Sequence, residues 1–189
     1  MFRGFHCIPK RKLQAHSDGK IDGLILCHDM MGGYVEDSNV QGEVGAVKQR
    51  SYNFLYWEFV DIFIYFSHTR LTIPPVNWTN TAHRHGVRVL GTFITEWEAG
   101  ANDNVLLLSE KTVVGKNGQK CKVLEYADKL VELCKYYRFD GWFLNLESDM
   151  LSVEASLKMV EFTQYFTEEM HRELPGSLVI WYEIGRAHV

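Results

Sequence analysis

Cysteine is scarce in this 189-residue chain, because only four cysteines are scattered along it and no two form a CxxC pair. This usage favours reduced thiols in a reducing compartment over a disulfide framework. No apolar run approaches the roughly 20 residues that a membrane helix needs, so we expect no membrane segment. Residues 1–12 lack a continuous apolar stretch followed by a small-residue cleavage site, so we expect no secretory signal.

The chain also lacks a strong charge of either sign. Its net charge is -4, and its only basic cluster is Lys10-Arg11-Lys12, which argues against nucleic acid as a partner. Hydrophobic residues make up 46% and charged residues 23%, as is typical of a soluble globular protein. Aromatic residues reach 13%, but they fill cores as well as stack on sugars, so their number does not indicate a function.

Strand-like and helix-like segments alternate along the chain. Near-continuous apolar strands separated by helices indicate an α/β fold with a parallel sheet, either a (β/α) barrel or a doubly wound sheet. The region 99–118 reads as a loop with room for one helical turn. The predicted strands are 23–29, 59–67, 87–95, 139–146 and 177–182, and the predicted helices are 77–85, 123–137 and 152–174.

The number of predicted strands bears on domain organisation. A complete eight-stranded barrel needs about 250 residues, so a barrel here would be a truncated N-terminal portion with about five strands, over residues 23–182. Residues 1–22 match no expected element. Residues 183–189 also fit nothing in the pattern, and we expect them to be a non-native tail.

The segment 139–147 is the most informative part of the sequence. It reads as a buried strand that ends on an amide, Asn145, and a carboxyl, Glu147. Alternation along a strand projects these two side chains to the same face, with their Cβ atoms about 6–7 Å apart. Polar groups at the C-terminal end of an apolar strand occupy the place where α/β enzymes carry their chemistry. The alternative is a capping pair at the strand-to-helix turn.

Several long motifs, in the same order along the chain, resemble glycoside hydrolase family 85, the cytosolic endo-β-N-acetylglucosaminidases. The resemblance implies a (β/α)8 TIM barrel without a cofactor. It also implies cleavage of the β-1,4 bond between the two core N-acetylglucosamines of N-glycans, glycopeptides or free oligosaccharides in the cytosol. The motifs are Leu26–Tyr34, Tyr65–His68, Thr72–Gly86, Val89–Trp97 and Phe139–Glu147.

The resemblance also implies catalytic roles. Most glycosidases use two carboxylates, whereas this strand end offers one carboxyl and one amide, which suits the substrate-assisted exception. Glu147 is then the general acid and later the base, and Asn145 orients the 2-acetamido group that acts as nucleophile. Tyr182 helps to orient the same group. The family has Asp after its Trp-Tyr pair, whereas this chain has Glu183 after Trp181-Tyr182.

Five further residues end predicted strands and are candidate sugar contacts. Trp97 can stack on a sugar ring and Glu96 can accept hydroxyl hydrogen bonds, although a loop aromatic beside a solvated acid would look the same. For the others the alternatives are a structural histidine at His28 and plain core packing at Trp181. The complete set of candidate contacts is Trp97, Glu96, His28, Asp29 and Trp181.

Other functions remain open on the sequence alone. A carbohydrate-binding module would keep the aromatic residues without needing Glu147. A phosphate-binding α/β enzyme would need a glycine-rich loop at a helix N-terminus, and Gly32-Gly33 is too short for one. A chitin hydrolase would carry an additional acid near Glu147. His83 and His85 are expected at the surface, and no metal site is expected there because no matching ligands stand nearby in sequence.

An open barrel of about five strands would leave two sheet edges unpaired and an apolar inner face uncovered. Such surfaces favour association between chains. We therefore predict that the isolated 189-residue chain aggregates or lacks activity. Light scattering, thermal melting and a glycan-release assay on the purified chain would check this. A monodisperse, cooperatively melting protein that releases high-mannose glycans would contradict the prediction.

Overall fold

The computed structural model describes residues 23–30, 54–114, 120–148, 150 and 152–182. The chain forms two compact units. The first contains the residues up to Thr92 together with 137–140, and the second contains 93–136 and the residues from Gly141 onward. The predicted segments 1–22 and 183–189 and the pair Gly32-Gly33 lie outside the described residues.

The first unit is a parallel α/β arrangement. Strand β1 (Ile25–Asp29) pairs in parallel with β2 (Ile62–Phe66), and β2 pairs in parallel with β4 (Arg88–Thr95), whose last residues continue into the second unit. The predicted strands and helix of this region are confirmed to within a few residues, except that Phe59 belongs to a short 3-10 helix. The elements are β1 (Ile25–Asp29), the 3-10 helix (Trp57–Phe59), β2 (Ile62–Phe66), β3 (Leu71–Thr72), α1 (Val76–Arg84) and β4 (Arg88–Thr95).

Aromatic side chains form the core of the first unit. The rings of Phe63 and Trp78 stack with their centroids 5.4 Å apart, and Trp57 meets Phe63 at 5.1 Å. Helix α1 contributes Trp78 and Ala82, four residues apart and therefore on one face of the helix. Gly86 follows α1 with a φ of 71°, a left-handed conformation that glycine adopts without strain and that is common just after a helix end.

Asp140, directly before the strand Gly141–Leu146, makes hydrogen bonds to α1 and β4. Its Oδ2 lies 2.7 Å from Nε2 of His83 and accepts a hydrogen bond of 2.7 Å from the N–H of Val89. The N–H of Asp140 in turn donates to the carbonyl of Val89 at 2.8 Å. The surface position expected for His83 is wrong, because this side chain is only 3% exposed. His85, in contrast, is exposed as expected.

The second unit adds helices around another pair of parallel strands. Strand β7 (Gly141–Leu146) pairs in parallel with β8 (Leu178–Tyr182). Strands β5 (Glu110–Val114) and β6 (Lys120–Leu124) form a separate antiparallel hairpin. The elements that follow β4 are α2 (Trp97–Leu107), β5 (Glu110–Val114), β6 (Lys120–Leu124), α3 (Glu125–Tyr137), β7 (Gly141–Leu146), α4 (Val153–Glu173) and β8 (Leu178–Tyr182).

The loop expected over 99–118 is wrong, because this region contains most of α2 and all of β5. The burial pattern of α2 explains the error. Its buried positions are Gly100, Asn104 and Leu107, whereas Val105 and Leu106 are exposed. The apolar residues of α2 therefore do not mark its buried face, and hydrophobic periodicity, the main sequence signal for a helix, is missing.

Packing in the second unit fixes β7 between a helix and its neighbouring strand. The indole N–H of Trp142 donates to the carbonyl of Leu130 in α3 at 3.0 Å. A Cβ atom at Gly141 would lie 1.9 Å from the carbonyl oxygen of Leu178, so only glycine allows β8 to approach this closely. Ser152 begins α4 as predicted, because its Oγ accepts the N–H of Ala155 at 3.1 Å.

These pairings show an α/β fold with a parallel sheet, as expected from the sequence. Closure of the sheet into a barrel remains a prediction. Within the described part of the chain, no helix is both long enough and apolar enough to cross a membrane.

Replacing Asp140 tests the contacts that it makes with α1 and β4. Asp140→Ala removes the shared acceptor of a buried imidazole and a backbone N–H, at about 1–3 kcal/mol for each buried group left unpaired. We expect the free energy of unfolding to fall by roughly 2–4 kcal/mol, measured by urea titration with circular dichroism at low protein concentration. Glu161→Ala, at an exposed position of α4, is the control and should change it by less than about 0.5 kcal/mol. Equal effects of the two substitutions would contradict the prediction.

Candidate active site

The candidate site of the second unit begins where β4 and β7 end. The carbonyl oxygen of Thr95, the last residue of β4, accepts hydrogen bonds from the N–H groups of Glu147 at 2.9 Å and Ser148 at 3.1 Å. Both residues directly follow β7. The two strand ends therefore lie side by side, which is where parallel α/β proteins bring functional side chains together.

Asn145 is the buried polar side chain of this strand end. It is 2% exposed, and its Oδ1 has no hydrogen-bond partner among the described residues. A buried amide oxygen without a partner costs about 1–3 kcal/mol. A ligand with an N–H donor that reached this oxygen would remove that cost.

Tyr182 and Trp181 lie on opposite faces of β8. Tyr182 stands opposite Asn145 in the strand register, and its ring centroid is 6.0 Å from that of Phe143, so these three side chains lie on the same face. Trp181 stands opposite Leu144 and lines a groove of about 490 Å³ with side chains of α4. The structure therefore does not bring Trp181 together with Asn145 and Tyr182.

The acid and the aromatic residue expected in the site are both accessible. Glu147 is exposed directly after β7, and Glu96 is half-buried directly after β4. Trp97 is 85% exposed and has a φ of 59°. A left-handed backbone is unfavourable for a residue that carries a Cβ atom, and such strain is found most often at functional sites.

Ser148 and Gly100 contribute to this arrangement and were not identified from the sequence. Ser148 is 7% exposed, and its Oγ donates to the carbonyl of Trp97 at 3.0 Å. A Cβ atom at Gly100 would lie 1.9 Å from that same Oγ. A serine after an acid and a glycine in a helix carry no distinctive sequence signal, because their roles follow from contacts about 50 residues apart along the chain.

His28 and Asp29 belong to the first unit and differ in environment. The ring of His28 lies 6.2 Å from Phe63 and 6.5 Å from Trp78, within the aromatic core. Asp29 is exposed, with its Oδ2 3.3 Å from Nε2 of His68. Burial lowers the pKa of His28, and the charge of Asp29 offsets this only in part. His28 is therefore half-buried against Phe63 and Trp78, and its predicted contact with a sugar stays a prediction.

Among the described residues, no three His, Cys, Asp or Glu side chains are grouped so that they could hold a metal ion. The groups available at the ends of β4 and β7 are an accessible carboxyl, a buried amide and an exposed indole. In chemical terms, they can transfer a proton, hydrogen-bond an amide and stack on an apolar ring face.

The fold and the site define an α/β protein with a candidate catalytic acid at the C-terminal ends of neighbouring strands. Residues 34–184 match the family model described as glycosyl hydrolase family 85. The chain belongs to this family.

Curated relatives agree with this assignment. The chain is 49% identical over 159 residues to the cytosolic endo-beta-N-acetylglucosaminidase of Homo sapiens. The matched residues make up 84% of this chain and 20% of that protein. It is 41% identical over 181 residues to cytosolic endo-beta-N-acetylglucosaminidase 2 of Arabidopsis thaliana, covering 96% of the chain and 22% of the relative. The chain thus spans about a fifth of the length of these relatives.

The environment of His28 predicts a dependence of stability on pH. Because the pKa of His28 in the folded state lies below its ordinary value of 6.5, the unfolded chain binds the proton more readily. The contribution of neutral His28 to the stability of the folded chain is therefore fully present above about pH 6.5. It is lost as the pH falls through and below that value, because the proton binds more tightly to the unfolded chain. We expect His28→Gln to reduce the loss of stability between pH 7.5 and 5.5, measured by urea unfolding at each pH. The control His171→Gln, at an exposed position of α4, should keep the wild-type dependence, and equal pH dependence in all three chains would contradict the prediction.

Proposed function

We propose that the chain carries part of the active site of an endo-β-N-acetylglucosaminidase that cleaves the β-1,4 bond in the N,N′-diacetylchitobiose core of N-glycans. The observation that carries the proposal is the buried Oδ1 of Asn145, which has no partner among the described residues and lies two positions before the accessible acid Glu147. Family membership and the names of the relatives support the same reaction.

Asn145 and Tyr182 prepare the substrate to supply its own nucleophile. The Oδ1 of Asn145 accepts a hydrogen bond from the N–H of the 2-acetamido group, and the Tyr182 hydroxyl helps to orient the same group. The acetamido oxygen then attacks the anomeric carbon of its own sugar. Because the attack is intramolecular, it avoids the entropic cost of bringing two molecules together. Asn145 stabilises the charge that develops at the acetamido nitrogen without adding a carboxylate that would compete as nucleophile.

Glu147 transfers protons in both halves of the reaction. It first protonates the glycosidic oxygen as the bond between that oxygen and the anomeric carbon breaks, and an oxazoline-type ring forms. The resulting carboxylate then takes a proton from water, the water attacks the anomeric carbon, and the ring opens with retention of configuration. A sugar hydroxyl in place of water gives transglycosylation.

The accessible residues around the strand ends are the proposed sugar contacts. In the second unit, Trp97 offers an exposed indole face for stacking and Glu96 offers a carboxylate for sugar hydroxyls. In the first unit, the exposed carboxylate of Asp29 is proposed as a further sugar contact. His28 contacts Trp78 of α1, and Trp181 lines a groove with side chains of α4; both remain proposed sugar contacts. We also propose a cytosolic location and glycopeptides or free oligosaccharides as substrates, because the relatives are named cytosolic.

The proposal is best tested in a chimera, because the chain spans only about a fifth of the relatives. The segment of the human relative that matches this chain is replaced by this chain's residues, and release of high-mannose glycans from a glycopeptide is measured. Glu147→Gln should lower cleavage by about 10²- to 10⁴-fold while glycan binding is retained. Asn145→Ala should lower cleavage of the glycopeptide far more than turnover of a preformed sugar oxazoline, because the oxazoline bypasses the step that Asn145 assists.

Glu161→Gln is the matched control, since Glu161 is an exposed acid of α4, and it should leave cleavage unchanged. Thermal melting of each chimera reports whether it is folded. A folded chimera in which Glu147→Gln cleaves normally would contradict the proposal. A folded chimera that binds glycans and never cleaves them would instead support a non-catalytic carbohydrate-binding role.

A further inference from the structure

Ser148 makes two kinds of contact with the turn that follows β4. Its backbone N–H donates to the carbonyl of Thr95 at 3.1 Å, beside the 2.9 Å bond from Glu147. Its Oγ donates to the carbonyl of Trp97 at 3.0 Å. The residue next to the proposed acid is therefore bonded to both ends of the turn Thr95–Trp97.

The conformation of that turn requires support. Trp97 has a left-handed φ of 59°, which is unfavourable for a residue with a Cβ atom and persists only when surrounding contacts hold it. The first turn of α2 continues from it through the bond between the N–H of Gly100 and the carbonyl of Glu96, at 3.0 Å. The hydroxyl of Ser148 donates a hydrogen bond to the backbone carbonyl of Trp97, the strained residue.

The space around Ser148 is shaped to the hydroxyl group. A Cβ atom at Gly100 would lie 1.9 Å from Oγ of Ser148 and 2.9 Å from the backbone carbon of Thr95. The absence of a side chain at Gly100 therefore leaves room for the serine hydroxyl. Ser148 itself is buried, with 7% of its surface exposed.

We propose that Ser148 is a positioning residue that holds the carboxyl of Glu147 and the indole of Trp97 in one fixed arrangement. The inference rests on the proposed function, because it concerns the same acid and the same sugar. Ser148 touches neither the substrate nor the reacting atoms, and it acts through the backbone at Glu147 and Trp97. Displacement of a catalytic group by about 1 Å can lower a rate by about 100-fold.

A misplaced acid has a kinetic signature that general destabilisation lacks. Protonation of the leaving oxygen matters most when the leaving group is a sugar, and it matters little when the leaving group is already acidic. We expect Ser148→Ala in the chimera to lower kcat by about 10- to 100-fold on the glycopeptide. On a dinitrophenyl glycoside that carries the same glycan, the loss of kcat should stay within about threefold.

A readout independent of activity is the hydrogen exchange of the Gly100 amide, followed by NMR or by mass spectrometry of the peptide that contains it. Without the serine hydroxyl the turn at Trp97 loosens, and we expect this amide to exchange at least about tenfold faster in Ser148→Ala.

Gly100→Ala displaces the same hydroxyl from the other side, so it should produce the same kinetic signature. This second variant keeps the test open if Ser148→Ala does not fold. The control is Ser156→Ala. It removes the hydroxyl of an exposed serine of α4 that donates to the carbonyl of Ser152, and it should change neither readout.

The outcomes separate this inference from the proposed function. Equal losses on both substrates, or unchanged exchange at Gly100 in the Ser148→Ala chimera, would overturn the positioning role. Normal cleavage by Glu147→Gln would overturn the proposed function and the catalytic part of this inference. Exchange at Gly100 would then still show whether Ser148 holds the turn.

Discussion

The carbonyl oxygen of Thr95 is the point on which the candidate site depends. It accepts the N–H groups of both Glu147 and Ser148, which uses the two lone pairs of one backbone oxygen. These bonds fix the end of β7 against the end of β4, with Asn145 two residues before them on β7 and Trp97 two residues after Thr95. Because the contact is made by backbone atoms, it does not depend on the side chain at position 95.

The two ends of the segment from Asp140 to Ser148 differ in the hydrogen bonds that their polar side chains make. At its beginning the Asp140 carboxyl bonds His83 and Val89, and the Trp142 indole bonds Leu130. At its end, the buried amide oxygen of Asn145 has no partner among the described residues, and Glu147 is exposed. A strand that satisfies its polar groups at one end and leaves them available at the other is consistent with a ligand-binding role for the second end.

The errors of the sequence-based predictions have a common physical origin. The burial of His83 depends on Asp140, which is 57 residues away along the chain, so no local pattern indicates it. Helix α2 was missed because it buries Gly100 and Asn104 and exposes Val105 and Leu106, so its apolar residues do not follow its buried face. In both cases a long-range contact decides the outcome, and the sequence near the residue carries little information about it.

The sequence alone determined the features that follow from local backbone geometry. Alternating side chains along a strand were enough to predict that Asn145 and Glu147 project to the same face at the end of β7, whereas the predicted roles of Tyr182 and Trp181 came from the family resemblance. The tertiary structure decided which face of each strand meets a helix, and it placed Trp181 against α4 and His28 against the aromatic core. It also brought Ser148 to the carbonyl of Trp97. Alternation is set by each strand by itself, whereas the partner of each face is set by elements distant in sequence that pack only when the chain has folded.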